Sequence, residues 1–258
     1  MISNATPIVF IHGLHENSVS WINWIDYFTK AGYNCHAPVY PYHDGEPKDV
    51  RRKPHPKLAR IKFKDVVQHY CDYVDKLKNK PILIGHAMGG LVVQKLIQAD
   101  KGTSGVCITS ALPRGIFSLN RNFILSTIGI VNPFMGDTIY LANKKWYRNA
   151  ICNTLTQEES DFLYENHVVP ESRNILRSSR GKDGNINFTL PHAPLLFIGA
   201  EQDNILPIGL TIKNKEAYTH ESSITDFKAF RNRSHAICLQ DGWEEVAAYI
   251  KEWIKKNK

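Results

Sequence analysis

The sequence predicts an α/β fold, a mostly parallel, doubly wound sheet carrying an inserted, mainly helical cap, and three observations lead there. Short apolar, β-branched runs alternate with segments of helical periodicity through residues 1–112, the pattern of βαβ units in a right-handed parallel sheet. From Pro113 to Pro191 no comparable strand occurs. The alternation then returns, so two stretches of one core, 1–112 and 192–258, are expected to flank a helical insertion at 113–191.

Pro7–Ile11 is apolar and β-branched and is stopped by His12-Gly13, which suits a strand buried on both faces. Trp21 to Gly32 places Trp21, Ile22, Trp24, Ile25 and Phe28 at helical spacing, with Lys30 in the last turn and Gly32 as the stop. Tyr33 to Tyr40 reads as the next strand and 41–56, rich in Pro, Gly and charge, as a loop. From Ile61 onward, Phe63, Val66, Val67, Tyr70, Val74 and Leu77 mark a helix. Pro81 to Gly90 is a strand, a tight turn and the start of a helix, and 105–110 is a further buried strand.

Within the insertion, Phe117 to Val131 is apolar, and Thr156 with Glu159 forms a capping box that opens a helix through Phe162 and Leu163. Pro170 is placed as the first residue of another helix, through Ile175 and Leu176. The sheet resumes at 193–199, and a last strand is expected near Thr225 to Phe230. The final helix has Asp241 as its cap with Glu244 at the third position, a stripe that includes Trp243, Val246, Ile250 and Ile254, and Lys255 and Lys256 at its negative end.

Length and composition bound the function. At 258 residues, 43% hydrophobic and 22% charged, the chain suits one globular α/β domain with an insertion. No apolar run approaches the roughly 18 residues of a membrane span, and Met1 to Phe10 lack the features of a leader, so a cytoplasmic protein without membrane insertion is expected. Five widely spaced cysteines without a Cys-x-x-Cys pair indicate neither a disulfide framework nor a zinc site. The net charge of +7 is densest between Lys48 and Lys64. Pro54 and Pro56 interrupt that run and no aromatic interleaving accompanies it, so it reads as a solvated loop leading into a helix, not a nucleic-acid surface.

The chemistry gathers at three places. In Gly85-His86-Ala87-Met88-Gly89-Gly90 the turn lifts one side chain above the carboxyl end of the sheet. This is a nucleophile elbow, G-x-S-x-G, with alanine where the attacking oxygen would stand. Downstream, Asp203 lies in the loop Gly199-Ala-Glu-Gln-Asp203-Asn-Ile-Leu-Pro207 after a late strand, and His235 lies in Asn232-Arg-Ser-His235-Ala before the last helix. A histidine titrating near about 6.5 can move a proton at neutral pH, and an aspartate on its other nitrogen fixes its tautomer.

On these segments and on His12-Gly13-Leu14, the chain resembles the α/β-hydrolase superfamily over nearly its full length, in the serine esterase and lipase-like branch with a helical cap. The resemblance implies position 87 as nucleophile, His235 as base, Asp203 as acid, and the N–H groups of Leu14 and Met88 as the oxyanion hole. It implies no cofactor. Only six residues precede Pro7, so the antiparallel hairpin that many members carry there is not expected. The implied substrate is a small, uncharged, hydrophobic carboxylic ester or lactone, and His15, Trp21, His86, Phe117 and Trp146 are the candidates to bind it, although His86 could equally support the turn. His12 and His15 lack the further ligands of a metal site.

Alanine has no nucleophile and forms no acyl-enzyme, so this form is expected to be inactive or nearly so as a serine hydrolase. Three accounts are open. An engineered Ser-to-Ala change at 87 is favoured by the retained Asp203, His235 and glycine frame. The second is a cofactor-independent His–Asp dyad enzyme, dioxygenase-like, and the third a non-catalytic ligand-binding pseudoenzyme. The aspartate elbow of epoxide hydrolases and dehalogenases is not what Ala87 offers.

Overall fold

The computed structural model describes residues 5–117 and 121–257. β1 (Pro7–Ile11) is buried at every position, as a strand covered on both faces must be. A 3-10 turn (Ser18–Trp21), capped by the Asn17 side chain, leads into α1 (Ile22–Lys30), and Gly32 ends the segment at φ 91°. β2 is shorter than predicted, Asn34–His36. Pro38 follows, and its missing N–H suits a strand that leaves the sheet. The predicted loop at 41–56 holds a helix, α2 (Pro47–Arg52), with Pro47 in its first turn and Arg51 and Arg52 in its last. Six residues show no periodicity, but proline at the start and cations at the end match both helix termini.

α3 (Phe63–Val74), β3 (Ile82–His86), α4 (Met88–Gln98) and β4 (Ser104–Ile108) follow as expected. The segment between β4 and the next core strand, called the cap below, contains α5 (Arg121–Val131), β5 (Ile139–Tyr140), α6 (Lys144–Ala150), α7 (Gln157–His167), β6 (Glu171–Ser172) and α8 (Arg173–Ser179). Part of the apolar run predicted from Phe117, residues 118–120, lies outside the described residues. The Thr156–Glu159 capping box is formed in both directions. Pro170 does not begin a helix. Residues 171–172 pair antiparallel with β5, and α8 starts only where the Ser172 hydroxyl accepts the Asn174 N–H.

β7 (Leu195–Ala200), α9 (Ile208–Glu216), β8 (Thr225–Phe230) and α10 (Trp243–Lys256) complete the chain. α10 is entered through Gly242 at φ 81°, not capped by Asp241. The Arg233 guanidinium explains this, because it donates to the carbonyls of Asp241 and Gly242 and to the Glu245 carboxylate.

The six strands lie in the order β2-β1-β3-β4-β7-β8, and every pairing is parallel. Phe10, Trp24, Phe28, Ile250 and Trp253 fill one face of the sheet, and Tyr70, Leu91, Val92, Leu96 and Phe197 the other. The chain winds outward from β1 to β2, then returns to β3 and proceeds the other way. Ligands of open α/β sheets bind at such a reversal, beyond the carboxyl ends of the strands. Here those ends are His12–Leu14 and Ala87.

Candidate active site

The elbow is held by contact between backbones. A Cβ on Gly89 would lie 2.1 Å from the Ile11 carbonyl oxygen, and one on Gly85 would lie 2.2 Å from that of Gly89. Only glycine lets α4 approach β1 and β3 this closely. Between them Ala87 is driven to φ 50°, ψ −114°, a conformation that a residue with a Cβ adopts only when its surroundings impose it. Met88 then becomes the first residue of α4, where an N–H has no acceptor within the helix.

The loop after β1 stands beside the elbow: a Cβ on Gly13 would be 3.0 Å from that of Ala87. His12 shapes this loop. Its Nδ1–H donates to the Gly13 carbonyl at 2.8 Å, its Nε2 accepts the Tyr40 N–H at 3.0 Å, and the Tyr40 hydroxyl donates to the His12 carbonyl at 2.7 Å. Burial, helped by the neighbouring His43, lowers its pKa to about 4, so His12 is neutral, as this pattern of one donor and one acceptor requires. Neither the Leu14 nor the Met88 N–H has an acceptor among the described residues. Both residues line the cavity described below.

His235 and Asp203 meet as a buried pair. His235 Nδ1–H donates to Asp203 Oδ2 at 2.6 Å, while Oδ1 of the same carboxylate accepts the N–H groups of Ile205 and Leu206 at 2.8 and 2.7 Å. The acid is thereby fixed at both oxygens. His235 lines the cavity together with Ala87, and its Nε2 has no hydrogen-bond partner among the described residues.

A second buried pair links the two sides of the site. His86 places Nδ1 3.2 Å from Glu16 Oε2 and Nε2 2.9 Å from the His235 carbonyl oxygen. Glu16 Oε2 also accepts the Gly13 N–H at 3.2 Å. Both partners of the ring are acceptors, so both ring nitrogens must donate and His86 is an imidazolium. Burial opposes that charge, but the Glu16 carboxylate and the two hydrogen bonds raise the His86 pKa above its ordinary value. Burial likewise opposes the carboxylate of Glu16, yet His86 and the Gly13 N–H hold it down to about 2. The loop after β1 and the loop that carries His235 are therefore tied together through one charge pair. Glu16 escaped sequence reading because its partner lies 70 residues away.

The cavity, about 150 Å³, opens beneath the cap. Of the five predicted binding residues, it is lined by His15, Phe117 and Trp146. His15 donates its Nδ1–H toward the Val169 carbonyl at 3.3 Å, burial lowers its pKa, and its Nε2 has no partner among the described residues. Trp146 is anchored by its indole N–H on the Ser126 carbonyl at 3.0 Å. Phe117 reaches the cavity from a largely exposed position. Trp21 and His86 do not line it. Trp21 packs into the sheet core, its ring 5.0 Å from that of Phe10 and 5.4 Å from that of Trp24, and His86 is engaged beneath the turn as described. The cavity wall also includes Arg114 and Arg180, neither singled out by motif or spacing.

Between core and cap, His43 Nε2 lies 3.2 Å from Glu171 Oε2, both side chains fully buried. Burial works against both charges, but each partner raises or lowers the other's pKa toward the charged form. Arg51, in the stretch read as a solvated loop, donates to the carbonyls of Tyr164, Glu165 and Val168 at the end of α7. Among the described residues no cluster of three or more His, Cys, Asp or Glu could hold a metal ion, and no helix is long and apolar enough to cross a membrane.

Solved structures share this architecture. An Arabidopsis methylesterase superposes with a TM-score of 0.72 at 14% identity, covering 97% of this chain and 99% of its own. A histidine-to-alanine variant of tomato methylketone synthase I, complexed with β-ketoheptanoate, superposes at 0.73 with 16% identity over 98% and 99%. A monoacylglycerol lipase from Paleococcus ferrophilus gives 0.71 with 20% identity over 98% and 97%. No curated protein sequence matches this chain. The family model described as the alpha/beta hydrolase family matches residues 8–249, nearly the whole chain from β1 into α10, and the chain belongs to that family.

Proposed function

We propose that this chain carries a carboxylic-ester or lactone hydrolase site that is complete except for its attacking oxygen. The observation that carries the reading is the convergence on one cavity of the strained Ala87, the Asp203-held His235, and the free N–H groups of Leu14 and Met88. In an Ala87→Ser variant the new hydroxyl would attack the substrate carbonyl while His235 Nε2 takes its proton. Leu14 and Met88 would receive the developing oxyanion, and His235 would return the proton to the departing alcohol. Asp203, already fixed by Ile205 and Leu206, would stabilise the imidazolium without moving. Water then releases the acyl group by the same path in reverse. With Ala87 that sequence lacks its first step.

A second reading is favoured by the intact His235–Asp203 pair in the absence of a serine for it to serve. A cofactor-independent dyad needs only proton transfer and oxyanion stabilisation. The structural neighbour that binds β-ketoheptanoate suggests a substrate of that kind. In a β-keto acid, the bond to the carboxylate breaks, carbon dioxide leaves, the enolate oxygen rests on the Leu14 and Met88 N–H groups, and protonated His235 supplies the carbon with a proton later regained from water.

Assaying the parent chain and Ala87→Ser side by side on chromogenic esters and lactones, with a serine-reactive phosphonate, decides between the two. The variant is expected to be labelled and to turn over esters at least ~10³-fold faster than the parent. Silence of the variant, together with carbon dioxide release from β-ketoheptanoate by the parent, would replace the first reading with the second.

A further inference from the structure

We infer that the cavity takes an amphiphilic organic acid, with its anionic headgroup on Arg114 and Arg180 and its carbon chain against the apolar wall. This rests on reading the cavity as the ligand site, and it replaces the expectation of an uncharged ligand. Arg114 and Arg180 are among the residues that line the cavity, and no aspartate or glutamate is. Exposed arginines are common on any surface; these two differ in bordering an apolar cavity while their guanidinium N–H groups have no acceptor among the described residues. By contrast, Arg51, Arg148, Arg173, Arg177 and Arg233 all engage carbonyls or side-chain acceptors.

The two arginines share one side of the cavity. Arg180 ends α8, and the Arg114 N–H donates at 2.9 Å to the carbonyl of Gly184, in the turn that follows it. Ile175, Leu176 and Ile186, which flank these positions, pack on the same face of the sheet as Met88 and Leu14. Arg180 is held with its guanidinium carbon 5.6 Å from the Phe123 ring centroid, a contact with the ring that consumes no donor.

The other hydroxyls of the wall are already committed. Ser126 and Thr127 donate to the Phe123 carbonyl, and Ser179 to that of Leu176. The side-chain groups of the wall left without a partner among the described residues include Nε2 of His15 and the guanidinium groups of Arg114 and Arg180. A planar carboxylate, or a phosphate, fits the fork of a guanidinium, and the apolar residues of the wall suit a hydrocarbon chain.

Calorimetric titration of the chain as it stands, with Ala87, tests this using octanoate, octyl phosphate and octanol. Octanoate is expected to bind about tenfold or more tightly than octanol, and raising the salt concentration should weaken octanoate but not octanol. The relative affinity of octyl phosphate identifies which anionic headgroup is preferred. Arg114→Gln combined with Arg180→Gln should bring octanoate down to the octanol level and leave octanol unchanged. Lysine at both positions should preserve part of the preference. Equal binding of octanoate and octanol by the parent, a preference that survives the double glutamine variant, or no binding of any probe would overturn the inference. The measurement needs no nucleophile, so a silent Ala87→Ser variant leaves it standing, and its failure leaves hydrolysis of uncharged esters intact.

Discussion

Gly89 and Gly129 are both helical glycines, one in α4 beneath the elbow and one in α5 over the cavity, and a methyl group would meet different surroundings at each. At Gly89 it would lie 2.1 Å from one backbone carbonyl oxygen and 2.6 Å from the next, whereas at Gly129 nothing lies within 4 Å. The core is closed by backbone against backbone, which fixes the reacting groups. α5 is packed loosely enough to leave Ile124, Leu125 and Ile128 exposed, and Ser126 and Thr127 turn their hydroxyls back on the helix's own carbonyls, a habit that weakens helices. The candidate catalytic groups thus stand on the rigid layer, and part of the cavity wall on the more loosely packed one.

The largest effect expected from this contrast is at the elbow. Gly89→Ala forces the Ile11 and His12 carbonyls apart, and neither can move without breaking β1 away from α4. Destabilisation above ~4 kcal/mol is expected, enough to remove most of a domain's stability. Soluble protein with a parent-like urea midpoint would show that α4 can slide, and the account of Ala87's strain would fail with it.

The next effect belongs to the Glu16–His86 pair. Glu16→Gln keeps the shape but removes the charge, and the single Oε2 that serves both Gly13 and His86 cannot be replaced by one amide atom that accepts from the first and balances the imidazolium of the second. Breaking one partner of a buried pair costs about 3–5 kcal/mol. The pH dependence has a definite sign. Glu16 has a folded pKa of about 2, below its unfolded value of 4.5, so its contribution is present above 4.5 and is lost as pH falls toward 2. His86 has its folded pKa raised above 6.5, so its contribution is full below 6.5 and is lost as pH rises through the folded value. The stability difference between parent and variant, from urea unfolding, should therefore be greatest between pH 4.5 and 6.5. His12 destabilises both proteins as pH falls below 6.5 toward about 4, and because the Glu16 charge raises its pKa a little, the variant is penalised slightly more there. A difference that does not fall as pH rises above 6.5 would mean that His86 is neutral.

What was legible in the sequence follows the same division. The elbow turn and the loops of Asp203 and His235 could be placed in the fold because backbone crowding demands glycine and because the parallel strands are continuous apolar runs. Trp21 was misplaced because an aromatic residue after the oxyanion loop has the same pattern whether it faces the cavity or, as here, Phe10 in the core. Glu16, Arg114 and Arg180 were missed because the partners of the first and the place of the other two on the cavity wall come from folding. α2 and the start of α8 were missed because helices of six and seven residues carry too little periodicity, and their caps decide them.

The smallest effect is the mirror image of the first. Gly129→Ala adds a methyl group in open space, in a helix whose glycine is otherwise a conformational cost, so the variant should be more stable by about 0.5–1 kcal/mol. The Gly129 carbonyl, which accepts from Arg173, is untouched by a Cβ. The gain should appear in the urea midpoint without any change in octanoate affinity, because Gly129 does not line the cavity. A loss of stability would mean that α5 packs against something at this position, and a change in octanoate affinity would mean that the looseness of α5 is itself used in binding.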